Sequence, residues 1–433
     1  MSVTPETVFE KGVVGAGGAG FPTHVKMRAE AEVFILNAAE CEPLLHKDKE
    51  LLMHHTDEVL AGIQFARAMT RARRCVIGIK EKYHEVIAKL ERVVPEGIEV
   101  AHLRDTYPAG DEFLLVYDVT KRVIPPGGLP LHVGCIVNNV ETMFNLGKEG
   151  PVTHKFLTVT GAVAQPCTLE VPIGTPVGEV IEAAGGSTVR EFGVLLNGVM
   201  MGKLCTDLTT PVTKTTGGVY VLPEHHPLLR RYRMDYPTIN RIGRSACDQC
   251  SFCTEMCPRY LLGHPIEPHK AMRALGFTLE SASLIVGTTY CCECNICTMI
   301  ACPEDLDPRN VCIQDKALVK EKGLKWSGDP HSVRPHPMYE ARRTPTKRLI
   351  TKLGLHGFPN EGALRPKPLE TGRVRIPLKQ HVGAAALPIV EVGAKVRCGD
   401  LIAMPPRDQL GAPIHASIHG TVTAIGDSIE ITA

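Results

Sequence analysis

The sequence predicts a multidomain α/β chain, and three observations carry the prediction. Apolar strands alternate with amphipathic helices through the N-terminal third. Nine of the 16 cysteines fall between Cys247 and Cys302. From Arg373 onward, short strands alternate with glycines at turns. At 433 residues the chain is long enough for about three domains. With 44% hydrophobic and 22% charged residues it can bury real cores. The net charge of +1 offers a polyanion nothing to bind, so no nucleic-acid partner is expected. Met1-Ser-Val-Thr-Pro-Glu-Thr has no basic segment followed by an apolar run, so no secretory signal is predicted. No stretch approaches the roughly 20 apolar residues that cross a bilayer. The chain is therefore expected not to be an integral membrane protein, and to work in the reducing cytoplasm.

The first cysteine run reads Cys247-Asp-Gln-Cys250-Ser-Phe-Cys253-Thr-Glu-Met-Cys257-Pro258, the C-x2-C-x2-C-x3-C-P spacing that holds [4Fe–4S] clusters. The second, Cys291-Cys292-Glu-Cys294-Asn-Ile-Cys297-Thr-Met-Ile-Ala-Cys302-Pro303, repeats it with one extra residue before the last cysteine. Three thiolates two residues apart converge on one cluster, and the fourth cysteine ligates the other. One cluster is assigned to Cys247, Cys250, Cys253 and Cys302, the other to Cys291, Cys294, Cys297 and Cys257. Cys292 breaks the rhythm and is read as a bystander. A zinc ribbon has no use for the third cysteine and the trailing Cys-Pro. A disulfide framework belongs to small secreted domains.

In the N-terminal third, Gly15-Ala-Gly17-Gly18-Ala-Gly20-Phe21-Pro22 formally satisfies G-x-G-x-x-G, with Glu40 about 20 residues on. Lys11-Gly12-Val13-Val14 is too short and glycine-broken for a first Rossmann strand, and Phe21-Pro22 interrupts the helix that should follow. Phosphate cradling by backbone amides survives the objection. A tight turn without a ligand is the alternative. Strands are predicted at Val33–Asn37, Cys75–Lys80 and Ile98–Leu103, with helices over 48–74 and 82–93. The polar segments Tyr107-Pro-Ala-Gly110-Asp111-Glu112 and Asn138-Asn139-Val-Glu-Thr142 follow apolar stretches, where ligands sit in parallel sheets.

These segments, with Asn37 to Pro43, resemble the flavin-binding core of the NADH-oxidising subunit of respiratory complex I. They are still more similar to the RnfC-like family of ferredoxin:NAD oxidoreductase subunits. The resemblance implies an FMN- and NADH-binding domain over residues 1–150. It places Gly15, Gly17, Gly18 and Lys26 at the flavin phosphate, and Asn37, Glu40, Tyr107, Gly110, Asn138, Asn139 and Thr142 around the flavin. Glu42 and Glu112 match acids near NADH. Two departures stand: Ala39 occupies an aspartate position, and His24-Val-Lys26-Met-Arg28 replaces the aromatic residues that stack nicotinamide.

Residues 151–225 give strand pair, helix, strands, a β-grasp order similar to the soluble-ligand-binding module of the same families. It is either a spacer or a ligand site. Pro223 to Ala246 reads as a polar, basic linker. Residues 236–325 are the two-cluster, ferredoxin-like helical domain, and 326–372 an extended connector with one helix from Thr346 to Leu353. Residues 373–433 look like a barrel-sandwich, biotinyl/lipoyl-like β module without a tip lysine. A C-terminal position for that module resembles the cobalamin reductases of propanediol-utilisation microcompartments.

That resemblance implies an NADH-dependent flavin and iron–sulfur oxidoreductase, with a corrinoid or corrinoid-carrying enzyme as acceptor and shell proteins as neighbours. No acid–base or nucleophile constellation is visible, and none is needed. An Rnf-like subunit serving ferredoxin, or a non-enzymatic electron carrier that has lost NADH, are the rival readings. His54-His55 and His225-His226 lack partners at metal spacing and are read as core or surface residues.

Overall fold

The computed structural model describes residues 3–277 and 282–433. Four parallel strands form the N-terminal sheet, in the order Ile98–Leu103, Arg74–Lys80, Val33–Ala38, Cys135–Asn139. Their runs are apolar throughout because both faces are covered. Phe34 and Leu36 pack towards Val59 and Ile63 of the helix Thr56–Thr70. Val33 and Ile35 pack towards Leu115 and Val116 of Glu112–Thr120.

The single helix expected over 48–74 is two, Lys47–His54 and Thr56–Thr70, broken at His55 (φ −127°, ψ 39°). The break turns the His55 ring edge-on to Phe144, with centroids 5.0 Å apart. The Thr56 hydroxyl donates to Leu52 O at 2.6 Å. Beyond the break, Thr56–Thr70 crosses Val140–Gly147 with the backbones almost touching. A Cβ on Gly62 would lie 2.0 Å from Met143 O, and one on Gly147 1.9 Å from Glu58 O.

The β-grasp order holds. The sheet runs Cys167–Pro172, His154–Gly161, Gly218–Pro223, Phe192–Leu196, Lys203–Cys205, with His154–Gly161 and Gly218–Pro223 parallel and the other pairs antiparallel. The helix Val177–Ala183 packs on it. The segment read as a linker, Pro223 to Ala246, instead folds into helices Pro227–Tyr232 and Tyr236–Ala246. Each begins with a proline in its first turn behind a capping side chain: His226 accepts from Leu228 N, and Asp235 from Thr238 N.

In the cysteine-rich region Pro268–Ala274 and Pro308–Glu321 are helical. The connector carries the expected helix, Thr346–Lys352, and is laced to its neighbours. Thr344–Pro345 pairs with Thr106–Tyr107, and buried Arg343 binds Asp118 at 3.0 Å. At the C-terminus a four-stranded and a three-stranded sheet form the sandwich, as expected. The buried Lys214 ties the modules together, its Nζ donating to Gly12 O (2.7 Å) and Pro413 O (2.8 Å). Among the described residues no helix is long and apolar enough to cross a membrane.

The helix crossing is testable. Gly62→Ala is expected to cost about 1–3 kcal/mol or more through overpacking. Gly357, with open space around it, should tolerate alanine. Thermal melts of the two variants would separate the outcomes, and equal melting temperatures would contradict the close crossing.

Candidate functional site

A cavity of about 600 Å³ opens at the C-terminal ends of the strands Val33–Ala38 and Cys135–Asn139. Its volume lies within the range of cofactor sites, and its position is where open α/β sheets bind ligands. The Gly-rich segment folds as a closed loop, not a Rossmann turn. Gly15 N donates to Phe21 O (2.9 Å), Gly20 N to Gly15 O (3.1 Å) and Thr23 N to Val13 O (3.1 Å). Only four helical residues follow, Thr23–Lys26. Ala16 N is held by the Thr142 hydroxyl at 3.0 Å. The amides of Gly17 and Gly18 have no protein acceptor among the described residues, and both glycines line the cavity. Gly18 adopts φ +113° with open space where a Cβ would go, while a Cβ on Gly17 would crowd Asn139 at 3.2 Å. Two free amides on a glycine loop suit a phosphate.

Of the residues singled out in the sequence, Asn37, Glu40, Glu42, Tyr107, Gly110, Glu112 and Asn139 also line the cavity. Asn37 Nδ2 donates to Gly110 O at 2.8 Å, locking two loops together. Four expected residues stand behind the wall. Gly15 and Thr142 shape the loop. Asn138 is buried beneath it, with Nδ2 unpartnered. Lys26 reaches back to donate to Val137 O (3.0 Å) and pairs with Glu112 (3.7 Å).

The floor is ionic, and the sequence reading missed it. Lys47 is fully buried, 2.6 Å from Asp48 and 3.3 Å from Glu141. Lys155 also bonds Glu141, and Asn139 Nδ2 donates to Asp48 at 2.8 Å. Burial works against the Lys47 charge, but Asp48, Glu141 and Glu40 outweigh it and raise its pKa. Burial, then Asp48, raises Glu40. The available signal was Lys47-Asp48 in the first turn of a helix just past the acidic strand end.

Glu42 does more than border the cavity. Its carboxylate accepts from the amides of Val199 and Met200 (3.0 Å each) and Met201 (2.8 Å), in a β-grasp loop. The same loop offers Met200 O to Asn295 Nδ2 at 3.0 Å. Tyr107, buried, donates its hydroxyl to Cys294 O at 2.8 Å. Cys294 itself lines the cavity. The β-grasp module thus clamps the second cysteine loop against the cavity wall.

The two cysteine loops share one backbone. Gln249 and Ser251 flank Cys250 at φ 58° and 63°, and Glu293 and Asn295 flank Cys294 at 61° and 69°. Left-handed non-glycine residues at matching places align Cys247, Cys250 and Cys253 with Cys291, Cys294 and Cys297. Cys292 falls opposite Asp248, outside the ligand register, though it packs in the same apolar cluster as Cys294 and Tyr107. Cys247, Cys250, Cys253 and Cys302 border one hollow. On the other side, burial, then Cys291 and Cys257, push the Cys297 thiol well up. Metal ligation relieves such crowding by displacing the protons. Glu293 N donates to Cys291 Sγ and Leu306 N to Cys302 Sγ, each at 3.3 Å. Cys250 is exposed, whereas Cys294 and Cys297 are buried.

Comparison with known proteins agrees module by module. Family models match for the Nuo51 FMN-binding domain (residues 8–148), the SLBB domain (156–203), a 4Fe-4S dicluster domain (246–307) and the RnfC barrel sandwich hybrid domain (363–432). A flavin cavity walled by one of two cysteine loops, on these modules, defines a flavin and iron–sulfur oxidoreductase. The chain is 43% identical to cobalamin reductase PduS of Salmonella typhimurium, over 99% of this chain and 96% of that protein. It is 42% identical to cobalamin reductase PduS of Citrobacter freundii, over 97% and 94%. The chain belongs to the PduS cobalamin reductase family. One subunit of the proton-translocating ferredoxin:NAD(+) oxidoreductase complex of Clostridium ljungdahlii is 32% identical over 58% of this chain and 55% of its own length. An NAD+-reducing [NiFe]-hydrogenase crystal structure contains a chain that shares the fold, with TM-score 0.50, 21% identity, and coverage of 76% and 67%.

Burial pushes Glu42 up to about 7, against the three amides that favour its charged form. With the folded value above the ordinary 4.5, the folded chain keeps a proton that the unfolded chain releases. Stability from this group is then complete below pH 4.5 and lost as pH rises through 7. Urea midpoints of cofactor-free wild type and Glu42→Gln, compared from about pH 5 to 8, should show the wild type losing ground. Parallel curves would mean that the amides keep the carboxylate ionised.

Proposed function

We propose that this protein is an NADH-dependent cobalamin reductase, delivering electrons to the cobalt of a corrinoid. The observation that carries the reading is Cys294, a member of one cluster set and of the flavin cavity wall, while the other set reaches the surface at Cys250. In this reading the Gly17 and Gly18 amides receive the FMN phosphate, and Asn37, Glu40, Tyr107, Gly110 and Asn139 frame the ring. Gly15, Lys26, Asn138 and Thr142 support that frame from behind. Glu112, raised by burial and steadied by Lys26, stands with Glu42 at the edge open to NADH. FMN bound there would take two electrons as hydride and release them singly, which one-electron iron–sulfur clusters require.

The chain's own work is positional. Tyr107 fixes the carbonyl of Cys294, and Asn295 fixes the loop beyond it, so the cysteine set of Cys257, Cys291, Cys294 and Cys297 is held against the cavity. Burial of Cys294 and Cys297 excludes water from that side, and the amides on Cys291 and Cys302 sulfurs bias the potentials. The family relationship supports the corrinoid as acceptor. A microcompartment location with shell-protein neighbours belongs to the same proposal, and co-fractionation with shells would test it.

Anaerobic protein given NADH and hydroxocobalamin should bleach its flavin and reduce cobalt. Cys294→Ala should leave bleaching intact while cobalt reduction falls at least tenfold. Bleaching with no cobalt reduction in the wild type would sink the acceptor, and preferential ferredoxin reduction would favour the Rnf-like reading.

A further inference from the structure

Arg259 stands two residues beyond Cys257, in the short helix Pro258–Leu261, and is 9% exposed. Its Nη2 donates to Asp111 Oδ2 at 2.8 Å, and that carboxylate is only 12% exposed. Its guanidinium carbon lies 3.5 Å from the Phe113 ring centroid. Asp111 lines the flavin cavity and caps the helix Glu112–Thr120, accepting from Phe113 N (3.0 Å) and Leu114 N (3.2 Å). Arg259 Nε is buried without a partner.

A buried guanidinium in this position has two unequal sides. One is neutralised by Asp111 and stacked on Phe113. The other carries the unpartnered Nε–H, two residues along the chain from Cys257 of the set Cys257, Cys291, Cys294 and Cys297. Leaving a charged donor unsatisfied is costly, and a neighbouring anion relieves that cost. We propose that Arg259 raises the reduction potential of the cluster next to the flavin, and that Asp111 opposes it, so that one ion pair sets the step between cavity and cluster. The physical basis is charge. Reduction adds one electron and no proton to the cluster, so a fixed cation nearby stabilises the reduced form and a fixed anion destabilises it. Low exposure keeps both charges unscreened. The stacked, bidentate-capable guanidinium suits the place better than a lysine, whose point charge neither stacks flat on Phe113 nor offers a second donor.

The inference rests on Cys257 belonging to that cluster, and the test keeps the two apart. Redox titration followed by electron paramagnetic resonance gives each cluster's midpoint in the anaerobic holoprotein. Arg259→Gln should make reduction of the flavin-side cluster about tenfold less favourable, a fall of about 59 mV for one electron. Asp111→Asn, which keeps a capping oxygen, should move the same midpoint upward. The cluster on Cys247, Cys250, Cys253 and Cys302 should stay put in both. A merely structural role would shift neither midpoint, or both variants the same way, and either result overturns the inference. Arg259→Lys, which retains the charge, guards against misfolding and should fall between wild type and Arg259→Gln. Absence of iron–sulfur signals from reduced wild type would overturn the cluster reading itself, and the inference with it.

Discussion

Cys294 has to satisfy two domains at once. It belongs to a loop whose left-handed residues match those of the first cysteine run, and it forms part of the wall of a cavity built by another domain. The Tyr107 hydroxyl on its carbonyl makes that possible, since the bond anchors the loop by its backbone and leaves the sulfur free. Removing the hydroxyl would strand a buried carbonyl, at about 1–3 kcal/mol. Glu42 completes the clamp from the β-grasp side. Three backbone amides on one carboxylate fix the loop 199–201, and that loop holds Asn295 next to Cys294. The β-grasp module therefore fixes where the second cysteine loop stands against the cavity wall.

What could be read from the sequence follows from what carries information in it. The sheet was legible because strands buried on both faces are written as unbroken apolar runs, such as Val33-Phe-Ile-Leu and Cys75-Val-Ile. The cysteine register was legible because ligand spacing is a local property of the chain. The break at His55 was not, since the ring turns inward to meet Phe144 and Phe156, both remote in sequence. The helices after Pro223 did leave a trace, in prolines set behind His226 and Asp235. A basic composition obscured it.

The site divides in the same way. Gly17 and Gly18 announce themselves because Gly18 turns through φ +113° and a Cβ on Gly17 would crowd Asn139. The partners of Glu42 are invisible in principle, as backbone amides have no side chain to recognise. Lys26 illustrates the converse. A lysine after a glycine loop reads as a phosphate ligand, and the fold adds that its ammonium also reaches Val137 O and Glu112.

The cavity floor shows why the frame is rigid before any ligand arrives. Lys47 and Lys155 face Asp48 and Glu141 with almost no exposure. Buried charges survive only when every one is paired, and losing a single partner costs several kcal/mol. Lys47 and Lys155 answer Asp48 and Glu141, and Glu40 is held beside them by the amides of Cys41 and Glu42. Asn139 belongs to this set through Asp48, and Thr142, three residues on, holds Ala16 beside Gly17. Polar groups that bind each other hold the binding surface in one geometry, so the cost of ordering it is met during folding rather than at each turnover.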